Sequence, residues 1–363
     1  MLLRVLNTII YRKVNKMKIG LLSSDFKEIN KYENIEILKY IKKYFQEFTI
    51  FDLSKIEIYI VNNEVKVFYF YENTKIDLNS YDVLLIRKTR GFSEQIVDII
   101  QAINNIKNSP LILDEPRSFS KPTSKVNSLI KRHKNFHQPQ TQIILNPQKE
   151  IKETMLDFPV VVKPTHGRGG LGVIICNNIK EIEKTRVSYI NDKSNKKEFL
   201  GYGILIQECI NFDEEYRVNI INGKAVGSVV KKSDMKIKNA NRGAKFIVKN
   251  NQKVIKLAEE IAQLHQLFFA GVDIVRKGEK YYVIECNRNP SFQEFDNATH
   301  GNIANILIEK IYDRTLEYKN KKKQSMQIDL PKETIRKKRK GKKFGYKIRG
   351  NISPRRVLLA LSV

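Results

Sequence analysis

Short apolar runs separated by polar segments begin at Lys18, and their periods predict strands that alternate with helices. Residues 35–48 and 93–106 have the spacing of amphipathic helices. The strand-like runs are "KIGLLSS" (18–24), "FTIFDL" (48–53), "IEIYIV" (56–61), "KVFYFY" (66–71) and "VLLIRKT" (83–89). This order predicts an α/β domain of about one hundred residues at the start of the chain.

The central part of the chain, from about residue 140 to 315, combines strand hairpins with long helices. The Asn222-Gly223 pair between two apolar runs is a strong signal for a type I′ turn. Apolar residues on one stripe predict helices, which we place at 123–134, 251–268 and 302–318. Charged runs dominate from residue 319, and we expect that segment to be disordered.

Composition narrows the class of protein. A chain of 363 residues with 41% hydrophobic and 29% charged residues predicts a globular protein with more than one domain. No apolar run approaches the roughly 18 residues of a membrane span. The three cysteines form no CxxC pair, and this cysteine usage favours a reducing, cytoplasmic compartment. Residues 1–16 contain basic and apolar residues but no acid, which fits either a targeting segment or a misplaced start codon.

The net charge of +27 is unevenly distributed along the chain. Residues 319–363 contain sixteen Lys and Arg residues against two acids, so this short segment alone carries +14. Such a segment predicts RNA or an acidic protein as a partner, bound with an affinity that depends on salt. A solvated tail without a partner is the alternative.

The segment "VVVKPTHGRGGLGVIIC" (160–176) joins two strand-like runs through a loop with four glycines. Glycine lets backbone N–H groups approach an anion closely, and Lys163 on the incoming strand supplies a positive charge. It is not a Walker A motif, since no GK[ST] ends it, nor a dinucleotide fingerprint, since a strand follows instead of a helix. We interpret it as a phosphate-binding hairpin, with a flexible surface hairpin as the alternative.

Two further segments carry polar side chains on predicted strands. In "GVDIVRKGEKYYVIECNRNPS" (271–291), Asp273 lies on the first strand of a hairpin, and Glu285 and Asn287 share one face of the second because strand side chains alternate. This all-oxygen set suits Mg²⁺. In "ILIQECI" (204–210), a carboxylate and the peptide groups at the end of a strand are suited to bind an adenosine. For both segments the alternative is a polar strand end that binds no ligand.

These segments follow one another in the order of a known family. The sequence resembles the ATP-grasp superfamily, and within it the RimK-like carboxylate–amine ligases, which include glutamate ligases, from about Lys18 to Lys310. The segments "KIGLLSSD", "YDVLLIRKT" and "SKVNSLIKRHKNFHQPQT" (124–141) are similar to the family's opening strand, a later strand and its linker segment. The resemblance implies an α/β protein with an N-terminal pre-ATP-grasp α/β domain, a two-lobed ATP-grasp domain (α+β) and a basic C-terminal tail. We place the boundaries at 1–17 (extension), 18–120, 121–318 and 319–363 (tail).

The resemblance also implies roles for single residues. Arg217 and Arg242 would face a substrate carboxylate or phosphate as catalytic residues. The implied metal ligands are Asp273, Glu285 and Asn287, holding two Mg²⁺ ions, with Mn²⁺ as a substitute. The implied nucleotide-binding residues are Lys125, Lys163, Gly167, Gly169, Gly170, Gln207, Glu208, Cys209, Ile210, Glu215 and Asn239. Arg288 follows Asn287 where the family has a small or hydroxyl residue, and we expect it to alter the acceptor pocket.

The activity implied by the resemblance is ATP-dependent formation of an amide or peptide bond through an acyl phosphate. The enzyme would add an amino acid, such as glutamate, to an amine of a small molecule or protein. Three alternatives stay open: another ATP-grasp ligation, a nucleotide-binding but inactive homologue, and an RNA- or ribosome-associated protein that uses the basic tail. We expect a cytoplasmic protein without a membrane partner, and leave a homo-oligomer open.

Overall fold

The structure is a computed structural model that describes residues 17–24, 31–88, 95–106, 108–114, 125–130, 136–166, 170–191, 203–232 and 245–328. These residues form sixteen strands and seven α-helices. The strands are β1 (Lys18–Ser23), β2 (Glu47–Asp52), β3 (Ile56–Val61), β4 (Glu64–Tyr71), β5 (Thr74–Asp77), β6 (Val83–Lys88), β7 (Leu111–Leu113), β8 (Thr141–Ile144), β9 (Val160–Pro164), β10 (Ile174–Cys176), β11 (Ile204–Glu208), β12 (Glu214–Ile221), β13 (Lys224–Lys232), β14 (Lys245–Val248), β15 (Phe269–Lys277) and β16 (Lys280–Arg288). The helices are α1 (Tyr32–Tyr44), α2 (Gln95–Asn104), α3 (Lys125–Ile130), α4 (Ile179–Ile190), α5 (Gln252–His265), α6 (Gln293–Thr299) and α7 (Ile303–Ile328).

The N-terminal part is built on a parallel sheet with the strand order β2-β1-β6-β7. Helix α1 covers one face through Ile37 and Ile41, and helix α2 covers the other. We predicted α1 over 35–48, but it ends at Tyr44 because Phe45 is already extended and the β-branched and aromatic run from Glu47 pairs with β1. The predicted α/β class is confirmed, and an antiparallel sheet, β3-β4-β5, packs on the α2 side.

Strands β9 and β10, on either side of the glycine-rich loop, pair as predicted, in an antiparallel sheet with the order β10-β9-β11-β8. Helix α4 covers this sheet through Ile182 and Tyr189. The helix begins at Ile179 because the side chain of Asn178 accepts the Glu181 N–H at 3.0 Å. The sheet and its helix have a small core of their own, so the glycine hairpin belongs to a separate lobe.

A five-stranded antiparallel sheet, β14-β13-β12-β15-β16, forms the second lobe. Its β12–β13 turn has positive φ at Asn222 (51°) and Gly223 (77°), as the predicted type I′ turn requires. Helix α5 covers one face through Val254, Leu257 and Ile261. The helix ends three residues before the predicted position, because Gln266 adopts a left-handed conformation with φ 56°.

One hydrophobic core joins the parallel sheet to the five-stranded sheet. The rings of Tyr32 on α1 and Phe269 on β15 lie 5.9 and 6.1 Å from the ring of fully buried Phe292. Helix α7 also packs in this core through Ile308 and Ile311. The N-terminal part and the second lobe are therefore held together by continuous apolar packing.

The chain divides into a compact unit that ends at Asn320 and a second unit that begins at Lys321, of which the structure describes the helical residues 321–328. We predicted disorder from residue 319, yet α7 continues to Ile328, because "KNKKKQSMQI" is rich in good helix formers. The cluster "KKRKGKK" (337–343) lies outside the described residues. None of the helices that the structure describes is both long and apolar enough to span a membrane.

Candidate functional site

The polar residues of the second lobe gather on the face of the five-stranded sheet that is opposite α5. The strand register pairs Arg217 with Asp273, Asp273 with Glu285, and Gly271 with Asn287. Directly paired residues share a face, so the predicted metal ligands and Arg217 lie together. Cys286 packs with the α5 core on the opposite face, as the alternation predicted.

A buried network of two cations and two carboxylates occupies this face. Arg217 donates from Nε and Nη2 to the two oxygens of Asp273, both at 2.7 Å. Lys231 Nζ bridges Asp273 Oδ1 at 2.7 Å and Glu215 Oε1 at 2.6 Å. The exposed fractions of Lys231, Glu215 and Asp273 are only 4, 8 and 5%. The paired charges offset the free energy that burial of each alone would cost.

The pKa shifts follow from this pairing. Burial would raise the pKa of Asp273, but the charges of Arg217 and Lys231 lower it to about 2. Burial raises the pKa of Glu215 against the opposing effect of Lys231. Asp273 is therefore an ionised, fully paired carboxylate near neutral pH.

Glu285 and Asn287 have side-chain oxygens that no described residue bonds. Neither side chain takes part in a hydrogen bond or ion pair within the described residues, although both are half-buried. Over the same residues no group of three His, Cys, Asp or Glu side chains lies close enough to hold a metal ion. Asp273 thus lies near these two donors, but its oxygens are bonded to cations. The three predicted ligands are therefore neighbours, but they do not form a set whose oxygens are all free to bind a metal ion.

Across from this face, the glycine-hairpin lobe buries Lys163. The exposed fraction of Lys163 is 8%, and its Nζ donates to Gln207 Oε1 at 2.8 Å. The Gln207 amide in turn donates to the Thr141 hydroxyl at 2.8 Å, so the predicted nucleotide contact Gln207 positions the lysine in this structure. Burial lowers the pKa of Lys163 to about 8.

Charges connect the two lobes. The carboxylate of Glu285 raises the pKa values of Lys163 and Lys125 against the larger lowering by burial. Lys125 is anchored beside the hairpin, since its backbone N–H donates to Thr165 O at 2.8 Å and its Nζ to Pro164 O at 3.4 Å. The charges of two lysines beside the glycine hairpin therefore interact with a carboxylate of the five-stranded sheet.

The remaining predicted nucleotide residues follow the end of β11. Glu208 is held by Gln140, whose N–H donates to its Oε2 at 3.2 Å, and its own N–H donates to Gln140 O at 2.9 Å. Cys209 and buried Ile210 form the connection to the second lobe. Gly170 has φ 71°, a conformation that favours glycine. Gly167, Gly169, Asn239 and Arg242 lie outside the described residues.

Lys231 is a site residue that the sequence reasoning missed. It lies on β13 and reaches Glu215 because the β12–β13 register shifts by one residue between Asn219 and Ile220. Counted from the Asn222-Gly223 turn without this shift, alternation would place Ser228 and Val230 on the face of Arg217; with the shift, Val229 and Lys231 lie there. Gly227, a glycine within the strand, was the available signal for the shift.

Comparisons of the sequence with known proteins give a family match and similar relatives. Residues 121–311 match the family model of the RimK-like ATP-grasp domain. A probable alpha-L-glutamate ligase of Methanococcoides burtonii is 23% identical over 303 residues, which cover 81% of this chain and 95% of that protein.

Solved structures share the fold. The ATP-grasp ligase PsnB, complexed with a minimal precursor, Mg and ADP, superposes with a TM-score of 0.56 at 14% identity, covering 82% of this chain and 98% of that one. The D-alanine–D-alanine ligase of Bacillus anthracis, complexed with ATP, gives a TM-score of 0.59 at 17% identity, covering 84% and 99%. With more than half of its residues matched by the family model, the chain belongs to the RimK-like ATP-grasp family.

Proposed function

We propose that the protein is an ATP-dependent carboxylate–amine ligase that activates a carboxylate as an acyl phosphate and joins it to an amine. The observation that carries the proposal is the largely buried pair Lys163 and Lys125, whose charges interact with the carboxylate of Glu285. A buried cation whose side chain donates to a neutral amide, as Lys163 does to Gln207, is suited to a polyanion, and a carboxylate beside a polyanion requires a bridging cation.

The donor set fits MgATP. Lys163 and Lys125 would bind the phosphates, and Glu285 and Asn287 would hold Mg²⁺, because their oxygens are free and oxygen ligands suit this ion. Asp273 would join as a third ligand only if Arg217 or Lys231 releases one of its oxygens. A second ion would depend on that release, whereas Mn²⁺ could replace Mg²⁺ with the same oxygen ligands. Bound Mg²⁺ would neutralise charge on the phosphate oxygens.

In the proposed reaction a carboxylate oxygen attacks the γ-phosphorus of ATP, the bond to the β-phosphate oxygen breaks, and ADP leaves. An amine nitrogen then attacks the acyl carbon, phosphate leaves, and the ammonium proton is released. The protein contributes position and charge: Lys163 follows the transferred phosphoryl group, while Gln207 keeps the lysine in place. Closure of the glycine hairpin would exclude water from the acyl phosphate.

For the substrates we propose an amino acid as one partner. The support is the name of the Methanococcoides burtonii relative, a probable alpha-L-glutamate ligase, which the chain matches over nearly that protein's whole length. Glutamate is therefore the first amino acid to test, with an amine on a small molecule or a protein as the acceptor.

The proposal is tested by measuring ADP release from MgATP by the purified protein with a panel of single amino acids and amines. A Glu285→Ala/Asn287→Ala variant should lose release by about 100-fold or more, since it removes both free metal ligands. A Glu279→Ala variant is the matched control, because Glu279 is exposed at the turn of the same hairpin.

Measuring MgATP binding together with ADP release distinguishes a ligase from an inactive homologue. Amino-acid-dependent release that disappears in the double variant and persists in Glu279→Ala supports a ligase. If the wild type binds MgATP but releases no ADP with any amino acid, the result favours an inactive homologue. Absence of MgATP binding would contradict the proposed function altogether.

A further inference from the structure

Strand β3 lies at the edge of the antiparallel sheet β3-β4-β5, and its outer side has no strand partner among the described residues. Residues 57–61 are all exposed, and the exposed fractions of Ile58, Ile60 and Val61 are 39, 75 and 52%. Yet the strand, "IEIYIV", has apolar side chains on both faces, a composition typical of strands that are covered on both sides. The sequence of β3 is therefore that of an interior strand at an edge position.

Two other edge strands carry the usual protection against pairing with another chain. Strand β5 contains Lys75 and strand β14 contains Lys245, and a lysine on an edge strand opposes the approach of a further strand. Strand β3 contains no lysine, proline or glycine. An exposed apolar edge of this kind is a template for strand addition.

The backbone of β3 presents hydrogen-bonding groups to its outer side. Asn62 and Asn63, with φ 51° and 64°, form the two-residue turn to β4, so Val61 before the turn is hydrogen-bonded to β4. Because the bonding direction alternates along an antiparallel strand, the N–H and C=O groups of Ile58 and Ile60 point away from β4. A strand that adds to β3 would bond to these two residues.

A second copy of β3 matches these outward groups. In an antiparallel pair with Ile58 opposite Ile58 of the second copy, the two residues exchange both of their hydrogen bonds, and Ile60 lies opposite Ile56. The Ile56 N–H already donates to Leu53 O, so Ile56 would offer its C=O to Ile60 of the second copy. One face of the pair then consists of isoleucine packed on isoleucine.

The same register brings opposite charges together on the other face. Glu57 would lie opposite Tyr59 of the second copy, and Lys66 is paired with Tyr59 on the neighbouring strand β4. Glu57 forms no ion pair with a described residue, and Lys66 has only a distant partner, Glu64 at 3.8 Å. The long side chains of Glu57 and Lys66 would therefore meet beside the tyrosine, once on each side of the twofold axis.

We propose that two copies of the chain associate through β3, in an antiparallel pair that joins two three-stranded sheets into one sheet of six strands. A second copy is favoured over other partners because the hydrogen-bonding groups, the isoleucines and the charges of β3 all complement themselves about one twofold axis. This association does not depend on the ligase function. Two short strands bury little surface, so we expect a dissociation constant of about 10 µM.

The test is sedimentation equilibrium of the full chain from about 1 to about 100 µM, over which the wild type should pass from one chain to two. Ile58→Lys places two lysines opposite each other at the twofold axis and should weaken association about 30-fold or more. Ile60→Lys, at a position too exposed to disturb the fold, should weaken it about 10-fold. Thr74→Lys adds the same charge to the exposed edge strand β5 and should behave as the wild type.

Exchanging the charges tests the register. Glu57→Lys should weaken association about 10-fold because like charges would meet, and Glu57→Lys/Lys66→Glu should restore it. Circular dichroism at about 0.5 µM, where the chains are separate, shows that each variant folds.

A wild type that stays a single chain up to about 100 µM would overturn the proposal. Unchanged association of the folded Ile58→Lys and Ile60→Lys variants would overturn it too, since the contact would lie elsewhere. A double variant that associates no better than Glu57→Lys would refute the register around Ile58.

Discussion

At the residue scale, the chemistry of the candidate site depends on charges that the fold removes from water. Lys163 has a single neutral partner, Gln207, while Asp273 is held between Arg217 and Lys231. Burial acts on both groups, but opposite charges outweigh its effect on the pKa at Asp273, whereas the charge of Glu285 does not outweigh it at Lys163. The lysine is therefore ready to bind an anion, whereas the aspartate must exchange a partner before it binds a metal ion.

Nucleotide binding should take up protons near pH 8.5. The pKa of Lys163 is lowered from 10.5 to about 8, so in the free protein much of this lysine is neutral at that pH. Phosphate oxygens would raise the pKa again, and the affinity for MgADP should fall as the pH rises from 8 to 10. Calorimetry in two buffers with different ionisation enthalpies measures the uptake.

Lys163→Met is the control for this effect, since it removes the titrating group. Binding of MgADP by the wild type at pH 8.5 without proton uptake would show that Lys163 is not the phosphate contact. The same measurement at pH 6.5 should show little uptake, because the lysine is already charged there.

At the element scale, the β12–β13 hairpin brings Lys231 opposite Glu215 and beside Asp273 on β15. A register shift between Asn219 and Ile220 sets this pairing, and without it the lysine would lie on the apolar α5 face. The hairpin therefore determines which charges meet.

Lys231→Met should lower the free energy of unfolding by about 3–5 kcal/mol, because two buried carboxylates would share one remaining cation. Lys224→Met on the same strand is the matched control; that side chain is 82% exposed, so the change should stay within about 0.5 kcal/mol. Urea unfolding followed by circular dichroism measures both. A Lys231→Met/Glu215→Gln variant should recover part of the loss, and equal stability of Lys231→Met and wild type would contradict the network.

At the scale of the compact unit that ends at Asn320, one core connects the parallel sheet to the five-stranded sheet. Phe292 lies between α1 and β15, directly after the segment with Asn287 and Asn289. This packing fixes the carboxyl end of β6 relative to the segment with Asn287 and Asn289. The relative position of the two sheets is therefore a property of the core.

Phe292→Ala should destabilise the protein by about 3–5 kcal/mol through the cavity it leaves. Ile60→Ala is the control, since Ile60 is 75% exposed on β3 and should change stability little. Because the core is shared, we expect one unfolding transition for the far-ultraviolet signal and the tyrosine fluorescence. Two separate transitions in the wild type would contradict a shared core.

The basic C-terminal segment carries a separate prediction. Removal of residues after Asn320 should leave MgATP binding unchanged, because this cut follows the compact unit and retains the Lys319–Asp82 contact. If the segment binds RNA, the full chain should bind RNA at low salt and lose it as salt rises, while the truncated chain should not bind. RNA binding that survives truncation would place the interaction elsewhere.

The amino-acid sequence by itself determined the elements and the face on which most site residues lie. Alternation identified β3 without error, the Asn-Gly pair identified the I′ turn, and the spacing of Glu285 and Asn287 placed them opposite Cys286. These features depend on residues a few positions apart in the sequence, so local backbone preferences are enough to predict them. The ends of the helices were predicted less well: strand pairing ends α1, the left-handed Gln266 ends α5, and helix-forming residues extend α7 to Ile328.

Only the tertiary structure decided which charges are paired. Arg87 and Asn289 are 202 residues apart, and nothing in either local sequence predicts their hydrogen bond. The same holds for Asp273, which reads as a metal ligand in its strand but is bonded to Arg217 and Lys231 in the fold. Contacts of this kind depend on how separate sheets pack on a common core. That packing is determined by many residues together, and no single sequence motif contains them all.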